Sequence, residues 1–400
     1  MKRIYCTLIE DSLRENRQMV LLSGARQVGK TTIAKDVLKD ARYFNYDISA
    51  DSILINAGTE KIAKNLDLAN PLNFQKGVIF DELHKYPKWK SLLKGFFDLY
   101  GNKMNILVTG SAKMDTYKRG GDSLMGRYFS YRVHPLSPRE LSTSEVSFDE
   151  IFQKSVALDE NCISSLLTFG GFPEPLLKGS ARFYNRWKST RLEQVFNEDI
   201  RDLTRVQDIK QIRALATLLE HCVGSGVNYS SLSNELNVTS DTIKSWINIL
   251  ESLYYVYSIK PYFKNVANSI RKQPKVYLWD WSLLKDEGAK KENFVASLLL
   301  KSVDFWTDSG LGNFELFYLR DKSQREVDFL VVKDDEPFML IECKSSSKEP
   351  ISPQLKHYQD LLKCTYALQV CFDLPQSSLD PLEYKTPIKL SVLDLAKVLA

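Results

Sequence analysis

The chain is short of the residues from which metal–thiolate sites and disulfide frameworks are built. Its six cysteines, at positions 6, 162, 222, 343, 364 and 371, form no C-x-x-C pair, and only four histidines accompany them. Neither a zinc site nor a disulfide scaffold is indicated, and a reducing cytoplasm fits this usage. Long apolar runs are missing too. No uncharged stretch approaches the roughly 20 residues that span a bilayer, and Met1-Lys2-Arg3-Ile4-Tyr5-Cys6 lacks the apolar core of a signal peptide. The expectation is a soluble cytoplasmic protein with no membrane partner. An excess of one charge is also lacking: 54 Lys and Arg against 50 Asp and Glu leave +4. Such a balance neither demands nor excludes nucleic acid, because a local basic face fits inside a nearly neutral total. At 400 residues the chain exceeds the size at which one core keeps growing, so more than one domain is expected.

What is present is a phosphate-binding loop. An apolar run, Met19 to Leu22, ends at Ser23, after which Gly24 and Gly29 bracket four residues ahead of Lys30-Thr31. This fills G-x-x-x-x-G-K-[ST] at every fixed position. The two glycines let the backbone curl so that successive N–H groups, those of Gln27, Val28, Gly29 and Thr32 among them, aim at phosphate oxygens. The helix expected over 31–38 points the positive end of its dipole at the same charge. Lys30 would bridge the β- and γ-phosphates of ATP, and Thr31 would give a hydroxyl to Mg²⁺, a hard ion that prefers oxygen.

A second strand is expected at 43–46. The strand Gly77-Val78-Ile79-Phe80 then ends on Asp81-Glu82, two carboxylates at the sheet edge where ligands gather in open parallel sheets. Asp81 would hold the Mg²⁺ and Glu82 would polarise the attacking water. A further apolar strand, 105–109, runs into Gly110-Ser111, so Thr109 or Ser111 is a candidate to sense the γ-phosphate. Arg127, before the strand 128–133, is a candidate to stabilise transition-state charge, in cis or toward a neighbouring subunit.

The set GARQVGKTT, VIFDE, ILVTGS, LMGR and HPLSPREL resembles the AAA-type ATPases of bacteria and archaea that carry a C-terminal domain of unknown function. The similarity continues through Phe169 to Glu174, 191–206 and Lys275-Val276-Tyr277-Leu278-Trp279-Asp280. The resemblance implies ATP binding and hydrolysis.

From 148 to 205 the apolar spacing is helical, broken by a turn at 170–175, and reads as a helical lid and linker. Residues 228–236 then suggest a short helix, Asn237-Val238 a turn, and Thr239 onward the cap of a helix reaching Leu253. This is a helix-turn-helix pattern, with 254–262 alternating as a wing strand would. Ser240, Asp241, Lys244 and Ser245 would face DNA if the second helix reads a groove. One lysine beside one aspartate is a thin footprint for that task, so a structural winged helix stands equally open.

Near the end, strands are expected over 276–281, 314–320, 326–332 and 338–344, with a helix over 292–303. Residues two apart on a strand share a face, so Glu342 and Lys344 point together, and Asp328 on the neighbouring strand can join them. Such a set can hold a second divalent metal, with the lysine on the water. The arrangement resembles the PD-(D/E)xK nuclease fold, and that resemblance adds Glu292 on the first helix and Gln354 on the helix that follows. It departs from the pattern in having Val327, not proline, before Asp328.

The fold class expected is α/β: a P-loop NTPase parallel sheet (1–140), a helical lid and linker (141–206), a winged helix-turn-helix (207–262) and a restriction-endonuclease-like α/β domain (263–400). The function expected is an ATP-driven switch that associates with DNA. The alternative is a signalling ATPase that binds protein or a second copy of itself and cuts nothing.

Overall fold

A computed structural model describes the chain except residues 69–76, 111–123, 144, 201–208, 263–272 and 378–379, and the side chains of 198 and 199. It separates into two compact units, Met1–His134 and Pro135–Ala400.

The first unit is built on five parallel strands, β1 (Met19–Gly24), β2 (Arg42–Asn45), β3 (Gly77–Asp81), β4 (Asn105–Thr109) and β5 (Tyr128–Val133), in the order β2-β3-β4-β1-β5. Every residue of β1 and β3 is buried. Continuous apolar strands of this kind form where helices cover both faces of a parallel sheet. In the helix Trp89–Tyr100 the buried residues are Trp89, Leu92, Leu93, Phe96 and Phe97. That i, i+3, i+4, i+7, i+8 series makes one stripe of a 3.6-residue helix. Phe96 meets the Phe80 ring edge-on at 5.6 Å, and Phe80 stacks on Phe44 at 5.6 Å. Burying each such ring is worth roughly 1.5–3 kcal/mol. This core fixes β3 beside β4, and β4 beside β1, so that Asp81, Thr109 and Gly24 all emerge at one sheet edge.

The second unit contains a seven-stranded mixed sheet: β6 (Val256–Pro261), β7 (Lys275–Leu278), β8 (Phe314–Arg320), β9 (Glu326–Lys333), β10 (Glu336–Lys344), β11 (Tyr366–Cys371) and β12 (Ile388–Ser391). Their order is β12-β11-β10-β9-β8-β6-β7. The long helix Glu287–Asp308 packs on it through Phe294, Val295, Leu298, Leu299, Phe305 and Trp306. Among the described residues no helix is long and apolar enough to cross a membrane.

Three expectations are corrected here. Residues 148–160 are irregular, not helical. Their aromatic spacing serves a different purpose: Phe152 lies against Trp306, Phe338 and Tyr366, and Gln153 donates its N–H to Val398 O at 2.9 Å. The segment expected as the lid of the ATPase instead belongs to the second unit. In it, Leu166 O accepts the indole N–H of Trp281 at 2.8 Å, and the Tyr184 hydroxyl meets Ser282 Oγ at 2.9 Å. The expected turn at 170–175 is also shorter, because a helix starts at Pro173.

The helices Tyr229–Leu236 and Ser240–Ser252 stand where their spacing predicts them. Asn228 and Thr239 cap them through their side chains, and Asn237 turns the chain in the left-handed region. The strand expected as a wing is different. As β6 it pairs antiparallel with β7 and parallel with β8, so it is a member of the large sheet. The domain boundaries expected at 206/207 and 262/263 fall within or against segments outside the described residues. The compact units divide at 134/135, a little ahead of the boundary expected at 140, and Ser137 and Glu140 bond to Lys301 of the second unit.

Candidate functional site

At the end of β1 the chain bends at Gly24, whose φ is +145°. A Cβ there would sit 2.4 Å from Val133 O, so no side chain fits. Gln27 and Gly29 also take positive φ, +62° and +103°, and Gly29 caps the helix Lys30–Val37. Lys30 is buried and folds across the loop, its Nζ donating to Gly24 O and Ala25 O at 2.8 Å each. Thr32 is exposed on the first turn of that helix. Arg3, which carries no signal in the sequence, is part of this loop's support. It is buried, and its guanidinium donates to Val28 O at 2.8 Å and to His134 O at 2.7 Å, tying the loop to the end of β5.

Asp81 is the hub of the site. One carboxylate oxygen accepts from the Thr31 hydroxyl at 2.9 Å and from the Tyr43 hydroxyl at 2.5 Å. The other accepts from Thr109 and from the Glu82 backbone N–H at 3.1 Å. Tyr43 is a member of the site that no motif marks. Burial, then the hydrogen bond and charge of Asp81, hold its hydroxyl far above the usual tyrosine value, so it remains a donor. The Thr31 and Asp81 oxygens, side by side, fit the oxygen preference of Mg²⁺. Ser111 lies outside the described residues.

Glu82 follows with φ +54°, a left-handed conformation that costs a non-glycine residue energy and that clusters at functional sites. Burial pushes its carboxyl above the usual range, against the pull of Lys30 and Lys85. Its Oε2 is buried with no hydrogen-bond partner among the described residues, 3.6 Å from His84 Nε2 and 3.9 Å from Lys85 Nζ. A buried carboxylate oxygen left in this way is costly unless something donates to it.

Arg127 is not at this site. Tyr128 pairs with Met19, whereas the loop leaves β1 at Gly24, opposite Val133. The five intervening strand steps put about 17 Å between the two sheet edges. The Arg127 guanidinium instead grips Asp98 with two hydrogen bonds, of 2.8 and 3.1 Å. Action in cis on this loop is therefore corrected by the strand register, and an interface with another chain is the remaining route.

In the second unit, Asp328 and Glu342 face each other across β9 and β10, one step beyond the pair Phe329 and Ile341. Asp328 accepts the Cys343 N–H at 2.9 Å, and Lys344 Nζ lies 3.1 Å from Glu342 Oε1. Glu292 joins from the long helix, held by the Tyr277 hydroxyl at 2.8 Å. Four of the five residues expected of a nuclease-like site thus converge. For the fifth, Gln354, the bond that holds it comes from Ser352 Oγ at 3.1 Å. What the sequence conceals is Lys275. Its Nζ stands 2.6 Å from Glu326, 3.5 Å from Glu292 and 3.7 Å from Asp328. Among the described residues no group of three or more His, Cys, Asp or Glu is arranged to hold a metal ion. With an ammonium set between its carboxylates, this cluster does not fit the second divalent metal expected there.

Burial, then the charge of Asp328, pushes both Glu292 and Glu342 up to about 7, while Lys275 and Lys344 respectively pull them back. A carboxyl raised from 4.5 in the folded chain binds more protons folded than unfolded in the window between. Its contribution to stability is therefore complete below that window and is lost as pH rises through about 7. The urea midpoint of the second unit is expected to fall between about pH 5.5 and about pH 8, and to fall less in Glu292→Gln. Identical pH slopes in the two proteins would show that Glu292 does not titrate within this cluster.

Comparison with known families agrees with this layout. Residues 16–142 match the family described as AAA domain, 162–288 a domain of unknown function (DUF8612) and 287–389 a domain of unknown function (DUF4143). An uncharacterized protein of Methanocaldococcus jannaschii is 24% identical over 373 residues, covering 89% of this chain and 81% of that protein. One of Mycobacterium tuberculosis is 24% identical over 381 residues, covering 88% and 78%. Among solved structures, a Walker-type ATPase of Pyrococcus abyssi overlaps 69% of this chain and 92% of its own at 14% identity, with a TM-score of 0.41. AMPPCP-bound DnaA from Aquifex aeolicus overlaps 62% and 88% at 13% identity, with a TM-score of 0.32. The chain thus carries an AAA domain at its head and a DUF4143 domain, a domain of unknown function, at its tail.

Proposed function

We propose that the protein is a Mg²⁺-dependent ATP hydrolase that works as a nucleotide-driven switch. The observation that carries this reading is the contact of the Thr31 hydroxyl with Asp81 at 2.9 Å, at the mouth of a complete phosphate loop. Thr31 and Asp81 would hold the ion, which when bound neutralises charge on the phosphate oxygens. Tyr43 and Thr109 fix the carboxylate so that it need not reorganise. Lys30 exchanges two carbonyl acceptors for phosphate oxygens, which are stronger acceptors because they are charged. Glu82 offers to a water proton the oxygen that accepts no hydrogen bond among the described residues. Lys30→Ala is expected to abolish ATP binding in a fluorescent-nucleotide titration, and retained affinity would remove the assignment.

For the second unit a protein-binding role is favoured over DNA cleavage. The exposed face of the helix Ser240–Ser252 presents Lys244 next to Asp241, 3.2 Å apart, and the two charges cancel. Phosphate contacts need an excess of cations. ATP turnover with and without duplex and single-stranded DNA, at two salt concentrations, tests this. Salt-sensitive stimulation by DNA would restore the DNA-associated reading.

A further inference from the structure

The carboxylate cluster of the second unit is centred on a cation that the chain itself supplies. Lys275 opens β7 and is only 2% exposed. A buried ammonium is expensive to desolvate and is kept only among anions. Its Nζ lies 2.6 Å from Glu326, 3.5 Å from Glu292 and 3.7 Å from Asp328, so three carboxylates surround the ammonium. The surroundings are shaped to it. Tyr277, two residues along the same strand and hence on the same face, anchors Glu292, and the Tyr318 ring lies 5.4 Å from the ammonium. The Glu292 carboxylate also packs closely on Gly224, where an added Cβ would sit 2.8 Å from Oε1.

Two of the three carboxylates on Lys275, Glu292 and Asp328, are ones that the nuclease-like pattern assigns to a divalent metal. We infer that Lys275 is a built-in substitute for that metal: its ammonium fills the cation position between Glu292, Glu326 and Asp328, and a divalent ion binds this domain only once the lysine is removed. The two cations exclude each other, because an ion ligated by these oxygens would lie within a few ångströms of Nζ. The ammonium supplies no Lewis-acid coordination, which makes the domain a nuclease-like scaffold whose Glu292, Glu326 and Asp328 already share a cation, while Glu342 Oε2 is buried with no hydrogen-bond partner among the described residues. The inference does not depend on ATP hydrolysis.

The test is thermal melting of the full chain with Mn²⁺ and without nucleotide. At about 1 mM Mn²⁺ the wild type and Lys275→Arg are expected to show no shift. Lys275→Met should gain roughly 5 °C or more, the effect of an ion well above its Kd on a unit of this size. Adding Asp328→Asn should erase that gain, while Asp81→Asn, which disables the ATPase ion site, should leave it intact. Should Lys275→Met not fold alone, its refolding with Mn²⁺ decides: recovery by Mn²⁺ but not by Na⁺ supports the substitution, and no recovery overturns it. A wild-type shift that Asp328→Asn removes, or no shift in folded Lys275→Met, overturns it equally.

Discussion

Glu82→Gln is expected to keep ATP bound and to slow its turnover about 10²- to 10⁴-fold, the range supplied by a positioned general base. The substitution keeps the shape of the side chain and a backbone that already tolerates φ +54°, so the loop and the Asp81 hub stay in place. What it removes is the carboxylate charge, including the oxygen that accepts no hydrogen bond among the described residues. Because an interaction confined to the transition state is lost, kcat should fall while nucleotide affinity does not. The pH profile gives an independent reading. Burial raises the Glu82 carboxyl, and the base works only when deprotonated, so the acid limb of the wild-type rate should lie above the ordinary glutamate range and vanish in Glu82→Gln. Undiminished turnover in the variant would mean that another group polarises the water.

The parts of this site that can be read from the sequence are those whose roles are local. Gly24, Gly29, Lys30 and Thr31 act within eight residues, and the physics of a strand–loop–helix turn ties each to its position. Asp81 is legible because an unbroken apolar strand closes on it, which puts the carboxylate at the sheet edge where ligands gather. Arg3, Tyr43 and Lys275 are not legible, because each reaches its partners through the tertiary fold. Arg3 is 131 residues from His134, and Lys275 meets Asp328 from the far side of β6 and β8. Arg127 fails for a related reason. A sequence shows that an arginine precedes a strand, but the end of the sheet on which it falls is fixed by whether β5 runs parallel to β1. The segment 148–160 shows the limit of periodicity, since phenylalanines spaced to fill the surface beside Trp306 mimic a helical stripe.

Lys301→Met is expected to destabilise the second unit by about 3–5 kcal/mol, the usual cost of stripping one partner from a buried ion pair. Glu140, in the HPLSPREL segment, has a fully buried side chain, and Lys301 on the long helix is 2% exposed. The ammonium also donates to Ser137 Oγ at 3.0 Å and Pro135 O at 3.2 Å, so one lysine secures residues 135–140 to the helix. Its loss leaves a desolvated carboxylate without that ammonium and frees two further acceptors. Glu140→Gln should cost less, because the lysine keeps Ser137 and Pro135 and gains an amide oxygen in place of the carboxylate. A chain with both Lys301→Met and Glu140→Leu should recover much of the loss, since replacing a whole buried pair with apolar groups is often near neutral. Urea unfolding followed by tryptophan fluorescence measures this directly. Five of the six tryptophans, Trp187, Trp246, Trp279, Trp281 and Trp306, belong to the second unit and dominate the signal. A Lys301→Met midpoint equal to that of Glu140→Gln would mean that the bonds of Lys301 to Ser137 and Pro135, and the carboxylate left behind, add nothing to its cost.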